Sequence, residues 1–329
     1  MKWYVARRLA WTLLATFIIF SFTFGLLMAS PNPEATAQAF QAAQEGGDVQ
    51  EAQDLVEESR GEDRPVHEQY IDFLVSIYTL DWGTSFMYDG QSVTSVIGDA
   101  WIYSAMVVLP ATFLAVILGF GIGIYSATHQ YTKTDYAATS FAFAGISLPN
   151  FWFAIILILI FGIQLQWLPV SFDSQVIVDH GIFSLHNVEQ LILPVTVLAT
   201  AAIASEMRYA RAEALEYVRS EWVKVARAKG VDEGRITYRH IFRPSLVPLI
   251  TVLLGDLVGI IFASAYVIEV IFGIPGLGLI SYNALIQQDT PLVLATILIP
   301  VVIAVIGNLL QDIAYTMLDP RIDYEEAET

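Results

Sequence analysis

The stretch that decides the class of this protein is WIYSAMVVLPATFLAVILGFGIGIYSAT, residues 101–128, which contains no charged side chain. A helix of about 20 apolar residues crosses the roughly 30 Å hydrocarbon core of a bilayer, so this run is long enough to span a membrane. A helix that is apolar on every side has no face to present to water, which excludes a surface helix of a water-soluble protein. The run therefore predicts an integral membrane protein built from helices.

Five further apolar runs lie before and after this stretch. The first run follows basic residues, as the apolar segment of a signal peptide does. It is longer, however, than the usual apolar segment of a signal peptide, which has about 7–15 residues. The sequence after it, Ser30-Pro31-Asn32-Pro33, is also a poor cleavage site, so we expect an uncleaved first span. Pro149 lies inside the third run of the chain and predicts a kink or break there. The five runs are residues 9–29, 137–167, 191–205, 246–272 and 291–311.

The composition excludes several classes of protein. Of the 329 residues, 55% are hydrophobic and only 15% are charged, whereas a soluble domain carries roughly 25% charged residues. The absence of cysteine excludes disulfide frameworks, thiolate metal sites and cysteine nucleophiles. The net charge of −17 argues against nucleic-acid binding. The chain has no Gly-Lys pair for a phosphate-binding loop, and its five histidines are scattered, so we expect no bound cofactor, metal or catalytic group.

Segments that contain lysine or arginine alternate along the chain with segments that contain few or none. This alternation predicts the orientation of the spans. Basic residues occur at the N-terminus, at Lys133 after the second run, and nine times between residues 206 and 243. Residues 31–99 contain two basic and fourteen acidic residues, and residues 168–190 and 273–290 contain no lysine or arginine. Six spans with both termini in the cytoplasm fit this alternation.

This topology divides the chain into four parts, and its outer part is acidic. Residues 31–69 are rich in Ala, Gln and Glu, and Tyr70, Phe73, Leu74 and Ile77 at helical spacing predict an amphipathic helix. Residues 31–99 form either a solvated cap or a docking surface for an external partner, and their charge also suits a halophile protein that faces high salt. The expected parts are residues 1–30 (N-terminus and first span), 31–99 (acidic outer segment), 100–316 (five-span core) and 317–329 (cytoplasmic tail).

The most informative part of the core is the cytoplasmic loop at residues 206–245. From residue 214 it begins ALEYVRSEWVKVARAKG, with apolar residues three and four apart among basic ones, which predicts one amphipathic helix. Gly230 suits the residue that follows a helix end, and Asp232 suits the cap of a second short helix. Pro244 should end or bend that second helix. Such a segment either lies on anionic lipid or fits a cleft on a partner.

Two acidic residues, Asp256 and Glu269, lie within the fifth apolar run. An acid in a membrane span is a functional candidate by default, because its insertion costs about 2.5 kcal/mol or more at the bilayer centre. Each acid is therefore either part of a transport pathway or a structural group that meets a hydroxyl or backbone donor on a neighbouring helix. Gly119 and Gly123 form a Gly-x-x-x-Gly pair that would let helices approach closely.

The chain resembles the permease subunits of ABC importers in the dipeptide, oligopeptide and nickel group. The strongest likeness is YVRSEWVKVARAKGVDEGRITYRHIFRPSLVPLI, residues 217–250, which is similar to the coupling motif of these importers, an EAA segment followed by a fixed glycine. Lys224, Val225 and Ala226 stand at the EAA positions, where only the last residue is kept, and Gly230 stands at the glycine. Further stretches match in order at residues 147–170, 266–278 and 318–324, whereas the acidic segment 31–69 and Asp256 are outside the pattern.

The resemblance implies an all-α, six-span type I importer permease of the plasma membrane. A second homologous permease would complete the pathway, two cytoplasmic ATPase subunits would bind and hydrolyse ATP, and an extracytoplasmic binding protein would deliver peptides or similar small solutes. The helix near residues 220–235 would sit in a groove of the ATPase and act as a lever. The expected contacts with the ATPase are Glu221, Lys224, Ala226, Arg227, Gly230 and Asp232.

Two other functions compete with this one on the sequence alone. An ion-coupled secondary transporter would use Asp256 and Glu269, although such carriers commonly show internal repeats and none is evident here. An intramembrane enzyme would need catalytic groups that converge at one depth, and the sequence offers no such set.

Overall fold

The computed structural model describes residues 2–29, 40, 42–44, 47–50, 54, 64–246, 249 and 265–318. Within these ranges the chain is almost entirely helical, apart from its connecting turns and one antiparallel hairpin of two-residue strands, β1 (Thr84–Ser85) and β2 (Gln91–Ser92). The predicted helical class is therefore confirmed. Three expected segments lie outside the described residues: residues 250–264 of the fifth run, which include Asp256, the acidic stretch at residues 55–63, and the tail from residue 319.

The helices are numbered here in chain order, and π-helical turns are named separately. The α-helices are α1 (Lys2–Ala29), α2 (Val66–Thr79), α3 (Val93–Leu114), α4 (Phe120–Thr128), α5 (Lys133–Ser147), α6 (Asn150–Leu157), α7 (Gln175–His180), α8 (Leu185–Val218), α9 (Glu221–Ala228), α10 (Glu233–Ile236), α11 (Ala265–Phe272), α12 (Leu277–Gln287) and α13 (Thr290–Leu318). The π-helical turns are π1 (Ala115–Gly119), π2 (Ile158–Gln164) and π3 (Thr237–Phe242).

Four of the described helices are long and apolar enough to cross a membrane, and two bent helix pairs raise the number to six if each pair is one span. The apolar runs at residues 9–29 and 101–128 each lie within one of these helices, the run at 291–311 lies within α13, and the run at 191–205 continues to Val218. The four helices are Ala6–Ala29, Val93–Thr128, Leu185–Val218 and Thr290–Leu309; the bent pairs are α5 with α6 and π2, and α11 with α12.

The break predicted at Pro149 is confirmed. Helix α5 ends at Ser147, Leu148 is extended, and Pro149 stands immediately before α6, which is bent by 103° relative to α5. A proline disfavours the helical conformation of the residue before it and has no N–H to continue the helical ladder, so the chain leaves the first helix here and starts a second.

The described chain divides into two compact units, of which one comprises residues 99–280. Its core contains buried residues of α3, π1, α4, α6, α8 and α11, and the Gly119–Gly123 pair faces α8 as expected. A methyl group at Gly119 would lie 2.6 Å from Cβ of Glu206, and one at Gly123 would lie 2.5 Å from the carbonyl oxygen of Met207. Only glycine permits this approach of the two backbones, which confirms the close packing predicted from the motif.

The other unit comprises residues 1–98 and 281–329. The predicted amphipathic helix is α2, and its Ile77 is buried with Phe20 of α1 and Leu298 of α13. The buried carboxylate of Asp289 holds the hairpin, since it accepts hydrogen bonds from the Ser85 hydroxyl and from the Met87 N–H at 3.2 Å. Sequence reasoning did not single out Asp289, because Ser85 lies 204 positions away from it.

Candidate functional site

The helix expected from residue 214 to the glycine is in fact two helices. Helix α8 ends at Val218 and α9 begins at Glu221, with Ser220 in an extended conformation between them. Both the N–H and the hydroxyl of Ser220 donate to the carbonyl of Tyr217, at 3.0 and 2.6 Å. A serine that bonds to the nearby backbone offers the chain an alternative to the helical ladder, which explains the break.

The short helix α9 has a buried face and an exposed apolar face. Val223 and Ala226 are buried in a cluster with residues of α4, α8, α10 and π3, which fixes α9 to the longer helices. Trp222 and Val225, three residues apart, keep 53% and 50% of their surface exposed. The exposed pair forms an apolar patch on one side of α9, because residues three apart lie on the same helical face.

Gly230 makes the turn after α9, as the sequence predicts. Its φ is +73°, a conformation that costs other L-residues energy but not glycine. The Gly230 N–H donates to the Arg227 carbonyl at 2.9 Å, and the Val231 N–H donates to the Ala226 carbonyl at 3.2 Å. These two bonds form a Schellman motif, which satisfies carbonyl groups at the end of α9 and reverses the chain in a defined geometry.

Asp232 caps the next helix, α10, as expected from the sequence. Its side chain accepts a hydrogen bond from the Arg235 N–H at 3.3 Å. The Arg227 guanidinium pairs with both carboxylate oxygens of Glu233, at 2.8 and 3.3 Å, and so links α9 to α10 across the turn. On α9 itself, Lys224 pairs with Glu221 at 2.7 Å.

The six predicted coupling residues therefore lie together on one helix and its turn, in different environments. Glu221, Lys224, Arg227, Gly230 and Asp232 are exposed, whereas Ala226 is buried against the protein's own helices. Sequence reasoning placed Trp222 and Val225 on one apolar stripe but did not separate the side that packs inward from the side that stays exposed. That separation depends on the break at Ser220, which shifts the phase of α9 relative to α8.

Pro244 does not end the second short segment, which continues as a helix through residue 246. The six residues before Arg243 instead form the π-helical turn π3. A proline inside a helix removes one hydrogen bond and crowds the preceding turn, and the wider π turn accommodates that crowding.

The second candidate site surrounds Glu269, which is fully buried. One of its carboxylate oxygens accepts a hydrogen bond from the Ser104 hydroxyl at 2.6 Å, and the other accepts one from the Gly278 N–H at 2.6 Å. The Leu277 N–H in turn donates to the Ser104 oxygen at 2.9 Å. Glu269 thus joins α3 and α11 to the first turn of α12.

Gly276 allows this arrangement, because a methyl group there would lie 2.5 Å from the carboxyl carbon of Glu269 and 2.6 Å from the Ser104 hydroxyl. The two alternatives predicted for Glu269 were a pathway acid and a structural acid that meets a hydroxyl or backbone donor. The observed partners are a hydroxyl and a backbone N–H, the kinds of partner expected of a structural acid. Asp256, the other acid, lies outside the described residues.

Comparison with known proteins identifies the family. Residues 119–324 match the family described as "Binding-protein-dependent transport system inner membrane component". The chain is 35% identical to the Bacillus subtilis oligopeptide transport system permease protein AppB over 81% of this chain and 84% of that protein. It is 33% identical to the oligopeptide permease protein OppB of Haemophilus influenzae, over 98% of this chain and 99% of that protein.

A third relative, the dipeptide transport system permease protein DppB of Bacillus subtilis, is 32% identical over 98% of each chain. The resemblance drawn from the ordered motifs is confirmed by these matches over nearly the whole length. The matched region includes α9, its glycine turn, and Glu269 with Gly276 and Gly278, but not Ser104. This chain therefore belongs to the family of inner membrane components of binding-protein-dependent transport systems.

Proposed function

We propose that the chain is the permease subunit of an ATP-driven importer and forms half of a translocation pathway for peptides. The proposed cargo follows the names of its relatives, which include oligopeptide and dipeptide permeases. A second permease completes the pathway, two cytoplasmic ATPases drive it, and an external binding protein delivers the peptide. ATP is bound by the ATPases, and the lipid bilayer surrounds the spans.

The single observation that carries the proposal is the exposed apolar patch on a helix that is otherwise firmly packed. Trp222 and Val225 are about half exposed on α9, whose opposite face is buried among the ends of the longer helices. Large aromatic side chains are frequent among the residues that dominate binding at interfaces. Because α9 is held by packing, by the turn at Gly230 and by the Arg227–Glu233 pair, a force on it reaches the spans.

The proposed topology has six spans, with both termini and the loop 206–245 in the cytoplasm and the segment 31–99 outside. The charge alternation supports this orientation. Because the chain has no cysteine, single cysteine substitutions can test this orientation without labelling at any other position of the chain. We expect an impermeant maleimide added to intact cells to label Asp179→Cys and to leave Lys229→Cys unlabelled until the membrane is opened. Reversed labelling would refute the orientation.

The coupling role is tested with the chain expressed together with its partner subunits. Trp222→Ala combined with Val225→Ala should reduce the amount of co-purified ATPase at least tenfold, because each truncated interface anchor costs about 1–2 kcal/mol. The matched control is Trp167→Ala, which removes an exposed tryptophan at the end of the third apolar run, immediately before the base-poor loop. Equal co-purification in both variants would show that α9 does not bind the motor subunit.

A further inference from the structure

We propose that helix α2 lies in the outer interface of the bilayer, with Ile71, Val75 and Tyr78 directed into lipid. This inference rests on the proposed topology, in which α1 spans the membrane with its C-terminal end outside. It assigns a membrane contact to a helix that is too short to span.

Helix α2 contacts the part of α1 that lies within its apolar run. The Tyr70 hydroxyl and the Ser21 hydroxyl form a hydrogen bond of 2.6 Å. The rings of Tyr70 and Phe73 pack on Phe24, with centroids 5.2 and 5.4 Å apart. Ser21 lies eight residues before the end of α1 at Ala29, which is about 12 Å along a helix that rises 1.5 Å per residue. The contact therefore places α2 at membrane depth rather than above the surface.

The side chains of α2 divide into three adjoining strips. The strip that packs on α1 contains one buried residue and three partly buried ones: Tyr70, Phe73, Leu74 and Ile77. A second apolar strip, spaced by four and three residues, is exposed by 56%, 53% and 59% at Ile71, Val75 and Tyr78 respectively. One edge of this strip also meets α1, where the Tyr78 and Phe20 ring centroids are 5.8 Å apart. The polar strip contains Glu68, Asp72, Ser76 and Thr79.

These strips follow one another around the helix. At about 100° per residue, Ile71, Val75 and Tyr78 fall within an arc of about 60° that adjoins the packed strip on one side and the polar strip on the other. Such a helix can contact a neighbouring protein helix, lipid and water at the same time. This three-way division is the arrangement expected of a helix that lies in the plane of the interface.

Lipid is the occupant that suits the exposed strip. The 14-residue helix is about 21 Å long, too short to cross the roughly 30 Å hydrocarbon core. When the helix lies parallel to the membrane plane, its polar strip can remain in the headgroup region while the apolar strip faces lipid. Tyr78 has the amphipathic ring that is enriched at membrane interfaces. The preceding residues 31–63 carry nine acidic side chains and few large apolar ones, so their composition does not complement an apolar strip.

The test uses the full chain with its partner subunits in lipid vesicles and measures the accessibility of nitroxide labels to oxygen, which enters lipid, and to a water-soluble nickel chelate. Labels are placed at Ile71→Cys and Val75→Cys, with Glu68→Cys and Thr79→Cys as polar-strip controls on the same helix. Phe22→Cys, on an exposed position of α1, is the lipid reference. We expect the oxygen-to-nickel ratio at residues 71 and 75 to be several-fold above that at 68 and 79 and close to that at 22.

The reference label separates the two ways of failing. If residue 22 is in lipid but residues 71 and 75 match residues 68 and 79, the strip faces water and the inference is wrong, while α1 remains a span. Immobilised labels at 71 and 75 that neither reagent reaches would mean that protein covers the strip, which also overturns the inference. A water-exposed label at residue 22 would overturn the proposed topology together with the inference.

Discussion

Arg211 of α8 and Asp135 of α5 form an ion pair with two hydrogen bonds, Nε to Oδ1 and Nη2 to Oδ2, each 3.1 Å long. Asp135 is almost fully buried and also accepts hydrogen bonds from the Ser126 hydroxyl and from the Tyr131 N–H. The pair thus joins α8 to the turn between α4 and α5. Breaking a buried pair from one side leaves a charge without compensation, which is strongly unfavourable.

We therefore expect Arg211→Met to lower the free energy of unfolding by about 3–5 kcal/mol. The exposed neighbour Arg208 provides the control, and Arg208→Met should change stability by less than about 0.5 kcal/mol. Arg211→Met combined with Asp135→Asn should recover part of the loss, because no buried charge remains and the amide oxygen can still accept a hydrogen bond from the Ser126 hydroxyl or the Tyr131 N–H. Thermal unfolding of the purified protein in detergent measures all three variants, and equal melting temperatures for the two single variants would contradict the role of the pair.

Glu269 is expected to be replaceable by glutamine but not by leucine. In Glu269→Gln, the side-chain oxygen can accept from the Gly278 N–H and the amide can donate to Ser104, so stability and peptide uptake should stay near the natural level. Glu269→Leu leaves the Ser104 hydroxyl and the Gly278 N–H without their acceptor, which costs about 1–3 kcal/mol each. Uptake in vesicles and thermal unfolding measure the outcome. Loss of uptake in a stable Glu269→Gln protein would favour the ion-coupled alternative.

The contact between α4 and α8 predicts opposite effects for two glycines of one helix. Gly123→Ala should destabilise the protein by about 1–3 kcal/mol, because the added methyl group would overlap with the backbone of α8. Gly121→Ala adds a methyl group with nothing within 4 Å and should be neutral or stabilising by up to about 1 kcal/mol. Melting temperatures compare the two variants, and a similar gain in both would mean that helix propensity outweighs the close approach, which would contradict its role at Gly123.

The turn after α9 predicts graded effects at Gly230. Asparagine tolerates positive φ better than most other residues, so Gly230→Asn should keep ATP hydrolysis coupled to transport. In Gly230→Val, the β-branched side chain strains the backbone at this φ. Gly230→Trp adds a large ring at a position where an added Cβ has nothing within 4 Å, and it should uncouple hydrolysis from transport while membrane insertion is kept. The ratio of ATP hydrolysed to solute transported in reconstituted complexes measures the effect; a normal ratio in Gly230→Trp would argue against the lever.

The features that the sequence predicts correctly are those whose cause is local. Uncharged runs, the proline at 149, and the glycine and aspartate at 230 and 232 each act on their immediate neighbours, and the structure has the expected elements there. The exposed strip of α2 could also be read from spacing, once the packed strip was known.

The features that sequence reasoning missed depend on partners far apart in the chain. Arg211 and Asp135 are 76 positions apart, and Asp289 and Ser85 are 204 apart. Nothing in the pattern around any one of these residues names its partner. The break before α9 was missed for a different reason: Arg219 and Ser220 are neither glycine nor proline, and the break comes from a serine hydroxyl that competes for a backbone carbonyl.

The π-helical turn π1 ends at Gly119, the first of the two glycines that contact α8, and leads directly into α4 with Gly123. A π turn contains about one residue more than an α turn, so α4 is rotated by about 100° from the direction that an uninterrupted α3 would give it. Deleting one residue within 115–118 would convert the wide turn into an ordinary one and leave both flanking helices in register, with Gly119 retained. The same deletion one turn later, between Gly119 and Gly123, would rotate Gly123 away from Met207. The effect of a one-residue deletion therefore changes within a few residues of the continuous helical segment Val93–Thr128.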